Sequence, residues 1–286
     1  MALRPHLNLL PMTAFKLATV PARQGSVWAR QGFRVFFKRP MVFAALFALF
    51  MFAVFVLALL PVVGPLLLLG LLPMVTLAFM LATKATLAGE LPTPAALFRT
   101  LRMDGPRRIA MLKLGAIYAL TTFAILALAD LIDGGAFDAL MNALPDVQSK
   151  PELVNAKLAD PRLGQGLLLR SGLTALLSMP FWHAPALVYW GGQGCAQSLF
   201  SSTLACWRNK GAFTVYMLTW VSAVMLFATL GSIVFGLLGQ LPLFALAATP
   251  FSLLLTTMFY ASLYFTFADC FEAAAPSAAP DLAPFD

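Results

Sequence analysis

The chain has 286 residues, of which 60% are hydrophobic and 11% charged, with a formal net charge of +7 and a mean hydropathy of +0.85. A typical soluble domain carries roughly 25% charged residues, so this composition cannot supply a water-facing surface, and the solvent for most of the chain is lipid. Soluble enzymes, disulfide scaffolds, disordered chains and nucleic-acid binders are set aside as leading classes.

In chain order the first expectation is a flexible tail over residues 1–22, followed by a basic helix. Arg30, Arg34 and Lys38 recur every four residues and share one helical face, while Trp28, Val35 and Phe36 lie elsewhere around it. That is the pattern of a cationic amphipathic helix lying in a membrane interface. Arg30, Arg34, Lys38 and Arg39 are the expected contacts for anionic phospholipid headgroups.

From Met41 to Leu60 every residue is apolar, about 30 Å of helix, which matches the hydrocarbon thickness. After Met41 no charge appears until Lys84, and one helix of that length would be about twice too long for a bilayer. The chain must turn back, and Pro61, Gly64 and Pro65 mark where. Spans are expected at about 41–60 and 66–87, then at 109–129 with Lys113 one turn inside one end and Asp130 just beyond the other. The fourth, about 167–190, is the least regular, because it holds Arg170, His183, Pro180 and Pro185. Residues 212–268 carry no charge and fit two further spans, 212–235 and 243–268. Residues 273–286 are expected to be a disordered tail. The continuous apolar runs specify helices rather than a barrel. The fold class is therefore all-α, a six-span polytopic membrane domain over residues 23–272 with interfacial amphipathic helices.

Fifteen of the nineteen Lys and Arg residues fall before span one, between spans two and three, and between spans four and five, all on one side of a six-span topology. That side is cytoplasmic by the positive-inside rule, so both termini are expected there, in a bacterial inner membrane. The same asymmetry accounts for the net charge without a nucleic-acid partner. Segments 96–108 and 198–210 resemble the first lead-in, with bulky apolar residues early and basic residues late, giving three units of surface helix and two spans. The middle unit has a long external connection, 130–166, where Phe137, Leu140, Met141 and Leu144 recur at helical spacing. One or two short helices are expected there, acting either as a plain connection or as a lid or docking element.

Ionisable groups at membrane depth are the candidate functional residues: Arg170, His183, Asp130 and Lys113. Arg170 is expected near the external end of span four, with Asp130 and Asp133 ending span three at the same level, so an interhelical ion pair is expected, structural or in a substrate or proton path. His183 is expected to be a hydrogen-bonded packing residue more than a proton relay. Only two histidines exist, and Cys195, Cys206 and Cys270 form no CxxC pair, so no metal, cofactor or catalytic residue is assigned and free thiols are expected. Ala228, Ser232 and Gly236 suggest a close helix contact, and Thr121, Thr122, Thr256 and Thr257 suggest bonds across helices.

The stretch Trp182-His183-Ala184-Pro185-Ala186-Leu187-Val188, the later Ala205-Cys206-Trp207-Arg208-Asn209 and Phe213-Thr214-Val215-Tyr216, and the early Pro61-Val62-Val63-Gly64-Pro65-Leu66 turn resemble a proteobacterial family of uncharacterised six-span inner-membrane proteins. The alternation of surface helix and paired spans is more loosely similar to the membrane domain of glycerophosphodiester phosphodiesterases. The first resemblance implies no catalytic residues, and the catalytic domain of the second has no counterpart here. The function expected is non-enzymatic organisation of lipids, or of a membrane-protein partner or second copy. Small-solute transport or conduction is the alternative.

Overall fold

The computed structural model describes residues 15–61, 63–92, 103–144 and 150–273. A short strand β1 (Phe15–Leu17) precedes α1 (Gln24–Lys38). At Arg39 the backbone leaves helical geometry, and Pro40, which has no N–H to give, opens α2 (Pro40–Ala58). The turn at Pro61 leads into α3 (Val63–Leu87), which runs through Pro73. Asp104 starts α4 (Gly105–Asp133) by accepting a hydrogen bond from the Arg107 N–H at 3.0 Å, and Gly134 in the left-handed region ends it. Then come α5 (Ala136–Ala143), α6 (Pro151–Leu158), α7 (Pro161–Trp182), α8 (Ala184–Gly191), α9 (Cys195–Arg208), α10 (Lys210–Leu237), α11 (Leu241–Cys270) and strand β2 (Phe271–Ala273).

Among the described residues five helices are long and apolar enough to cross a membrane: α2, α3, α4, α10 and α11. They coincide with expected spans one, two, three, five and six. The expected fourth span, 167–190, is not one helix. Its helix begins earlier, at Pro161, and stops at Trp182, because Pro185 has no N–H for the Phe181 carbonyl and its ring crowds that turn. The remainder becomes the separate helix α8. α7 carries Arg162 and Arg170 and is not among the five, although its 22 residues give about 33 Å of length.

The strands pair antiparallel, Phe15 with Ala273 and Leu17 with Phe271. The expected flexible tail over 1–22 is thus corrected from Phe15 onward, and the C-terminal boundary moves past Ala273. Backbone pairing explains both changes, and sequence periodicity could not reveal it in three-residue strands. We call this end of the bundle the strand end, and the end carrying α5 and α6 the loop end.

One face of the amphipathic helix α1 packs into protein. It is wedged against α10 and α11, where Gly25 faces the Ala212 carbonyl and Gly32 faces Ser262 so closely that a Cβ would collide. Trp28 is fully buried, its ring 5.4 Å from Phe213 and 6.0 Å from Tyr216. One apolar core joins α1, α2, α3, α10 and α11, a second joins α3, α4, α7 and α8, and a small third ties α5 and α6 to the start of α7.

α3 and α4 also meet backbone to backbone, where the Gly70 carbonyl fills the space a Gly115 side chain would need. The expected contact through Ala228, Ser232 and Gly236 is corrected: Ser232 and Gly236 are exposed, and Gly231 receives the Phe244 ring instead. Thr256 and Thr257 donate back to the Ser252 and Leu253 carbonyls of their own helix. The α3–α11 bond comes from Thr83, which donates to the Ala261 carbonyl at 3.0 Å. The lead-in expected at 96–108 falls largely outside the described residues.

Candidate functional site

Polar groups gather at both ends of the bundle. At the loop end, α7 carries Arg170 opposite the last turn of α4, and its Nη2 pairs with Asp130 and, at 2.9 Å, with Asp133. Asp133 has a fully buried side chain and also accepts from the Gly135 N–H at 2.8 Å, while the Asp130 side chain is 47% exposed. The Phe137 ring of α5 covers the guanidinium at 4.0 Å. Arg170 Nε and Nη1 are buried, with no hydrogen-bond partner among the described residues. This cluster joins three elements through one cation and leaves two donors for a further acceptor.

At the strand end the break after α7 is held by named groups. In an unbroken helix the His183 N–H would reach the Met179 carbonyl. Here the Ser202 hydroxyl from α9 stands between them, accepting from His183 N at 3.0 Å and donating to Met179 O at 2.7 Å. The freed backbone pair is therefore satisfied inside the bundle. His183 is fully buried beneath Phe213, Phe267 and Phe271. The Thr266 hydroxyl donates to the Leu263 carbonyl at 2.8 Å, so it accepts from Trp182 Nε1 and from His183 Nε2, each at 3.2 Å. That assigns the His183 proton to Nε2 and leaves Nδ1 an acceptor without a partner.

Two further polar side chains clamp this end. Asp269 Oδ2 accepts from Trp28 Nε1 at 2.7 Å and from Gln24 Nε2 at 2.6 Å, fixing α1 to the end of α11. The Asn209 side chain accepts from the Val20 N–H at 2.8 Å and donates to the Ala18 and Ala205 carbonyls at 3.1 Å. It ties the junction of α9 and α10 to the segment after β1. With α1 so fixed, Arg30, Arg34, Lys38 and Arg39 all face outward and exposed, beside exposed Phe37 and Met41.

Lys113 is exposed on α4 and lines a groove shared with Cys195 at the start of α9. Cys195, Cys206 and Cys270 are free thiols. Burial pushes the Cys195 thiol up, with the Lys113 charge pulling the other way, and burial pushes Cys206 up strongly.

The structure therefore brings together Arg170 and Asp130 and gives His183 the expected hydrogen-bonded packing, while Lys113 stands apart from both. The sequence reading missed Asp269, Asn209, Ser202 and Phe137. Asp269 had a signal, as the acid that closes a run of 57 uncharged residues from 212 to 268. Ser202 had none, since nothing in the sequence says which hydroxyl meets a helix break 19 residues away.

Compared with known proteins, the chain is similar to a probable inner membrane protein of Burkholderia thailandensis, 35% identical over 270 residues that cover 92% of this chain and 96% of that one. No family model matches the chain. No solved structure matches it.

Proposed function

The chain belongs to the family of that inner-membrane protein, and on this premise we propose that it is a six-crossing protein that holds anionic phospholipid on the outward face of α1 and has no catalytic role. The observation that carries the reading is the fixed row of Arg30, Arg34 and Lys38, exposed beside Phe37 and Met41 on a helix whose other face is locked into the bundle. Cations for headgroups next to apolar side chains for the acyl boundary are what an interfacial lipid contact requires.

Six crossings are supported by parity. β1 lies beside β2, so the described ends share one side of any membrane and the number of crossings is even. With five apolar helices among the described residues, this parity favours a sixth crossing, and α7, at about 33 Å, is long enough to supply it. The strand end is proposed as cytoplasmic because it collects most of the basic residues.

The test is a variant with Arg30→Glu, Arg34→Glu and Lys38→Glu, purified from its own membrane with bound phospholipid quantified. Each basic residue near an anionic surface contributes about 1 kcal/mol, so retention of phosphatidylglycerol should fall at least tenfold against phosphatidylcholine. Unchanged retention overturns the reading.

Small-solute transport is the second reading, favoured by the two unpartnered donors of buried Arg170 and by the helix broken at His183. A cleft of about 240 Å³, bounded by Pro73, Tyr118, Phe181 and Tyr260, lies between those two sites along the bundle. Flux into proteoliposomes that stops on Arg170→Met would favour it over the lipid role.

A further inference from the structure

Beside the α1 face, a second place on the strand half of the bundle has the chemistry of a lipid site. A groove of about 570 Å³ runs between α4 and α9, with Pro106, Ile109, Ile117 and Leu199 as apolar walls and Lys113 and Cys195 among its polar lining. That volume falls within the roughly 300–1,000 Å³ of ordinary ligand sites.

Lys113 lies eight residues into α4 and four past Ile109, where the apolar run begins. Among the described residues it has no ion-pair partner. An ammonium at that depth in lipid is costly, and its ordinary remedy is to reach a phosphate at the headgroup level. Among the described residues the lining contains no acid, and Arg107, next in sequence to the lining Pro106, pairs with Asp104 at 3.4 Å. The first residues of α9 open on the same groove. No side chain caps its N-terminus and no acid stands in its first turn, so the positive end of the helix adds to the Lys113 charge. The apolar walls fit an acyl chain and would be wasted on a hydrated inorganic ion.

We propose that this groove binds one anionic phospholipid of the cytoplasmic leaflet, its phosphate received by Lys113 and its chain laid along Ile109, Ile117 and Leu199. The inference rests on the orientation proposed above but uses residues distinct from the α1 face.

Cys195 supplies the readout, because it lines the groove while Cys206 and Cys270 are buried. The full chain is reconstituted into nanodiscs of phosphatidylcholine alone or mixed equally with phosphatidylglycerol, and the maleimide labelling rate of Cys195 is measured by intact mass. Anionic lipid should slow labelling about fivefold, the weight of one basic residue at an anionic surface. Lys113→Gln should remove that difference and Lys113→Arg should keep it. Comparing the two lipids within each variant cancels the direct effect of the Lys113 charge on the thiol. Equal rates in both discs with the wild-type chain overturn the proposal, as does protection that survives Lys113→Gln. Inorganic phosphate added to phosphatidylcholine discs should give no protection, and protection there would overturn the assignment to lipid. The triple α1 variant separates the two readings. Protection of Cys195 that persists in it supports an independent groove, and protection that disappears in it while surviving Lys113→Gln overturns the groove in favour of α1.

Discussion

Replacing Arg170 by Met removes a cation that joins α4, α5 and α7 at the loop end while keeping most of its apolar stem. Asp133 Oδ2 lies 2.9 Å from Arg170 Nη2, a gross attraction of about 6 kcal/mol at an effective dielectric of about 20. Most of that offsets desolvation, so the pair itself contributes far less. Deleting Arg170 is a different matter. Asp133, with no exposed side-chain surface, would be left with the Gly135 N–H as its donor among the described residues, and breaking a buried ion pair in this way costs about 3–5 kcal/mol. Asp130 is 47% exposed, so Asp130→Asn should cost no more than about 1 kcal/mol. The double variant Asp133→Leu with Arg170→Met should recover much of the loss, since it leaves no buried charge.

Two measurements read these values. Heating the solubilised protein, with Cys195 replaced by Ser, in the presence of a thiol-reactive fluorophore follows global unfolding, because Cys206 and Cys270 are buried until the fold opens. Hydrogen exchange over Ala136–Ala143 follows release of α5, whose Phe137 covers the guanidinium. If Arg170→Met stays within about 1 kcal/mol of wild type, or if Asp130→Asn costs as much as Asp133→Asn, the loop end is not held by this buried pair.

Three other changes probe separate contacts. Ser202→Ala strips the hydroxyl that bridges His183 N and Met179 O and should destabilise the protein by about 1–3 kcal/mol; a thermal midpoint unchanged from wild type would mean the broken backbone pair finds another partner. Gly115→Val forces a side chain onto the Gly70 carbonyl and should cost at least about 1–3 kcal/mol as overpacking, whereas Gly164→Ala, where nothing stands within 4 Å, should be silent in the same assay. Reporter fusions after Asp146 and after Glu272 should report opposite sides of the membrane, external and cytoplasmic respectively; equal signals would contradict the parity argument from β1 and β2.

The helices that face lipid were legible because composition alone marks them. The run from Met41 to Leu60 has no alternative solvent, and its observed helix, Pro40–Ala58, differs from the expected span by two residues at most. The fourth span was legible only in part. Pro185 was visible as a possible break, but whether such a helix kinks or stops depends on what satisfies the freed backbone, and Ser202 is 19 residues away. The ion pair of Arg170 with Asp130 and Asp133 could be read from topology, since three charges at one membrane level have few partners. The docking of α1 could not. Trp28 gives the same periodic signal whether it enters lipid or protein, and the deciding contacts, Gly25 on Ala212 and Gly32 on Ser262, join segments nearly two hundred residues apart or more.

That docking bears on how a basic helix can act on lipid. A free amphipathic helix orders itself as it binds, and part of its contact energy offsets that ordering. α1 is already folded: Asp269 holds Trp28 and Gln24, two glycines seat it on α10 and α11, and Asn209 fixes the segment before it. Arg30, Arg34 and Lys38 therefore stand in a row about 6 Å apart along one rigid edge. On the proposed lipid role, such a row should discriminate by headgroup charge and spacing more than by membrane curvature, because it cannot deepen its insertion as packing defects open. The same rigidity couples the α1 face to the bundle's own stability. On the proposed lipid role, weakening the clamp, as Asp269→Asn would, should loosen lipid retention without altering any of Arg30, Arg34 and Lys38.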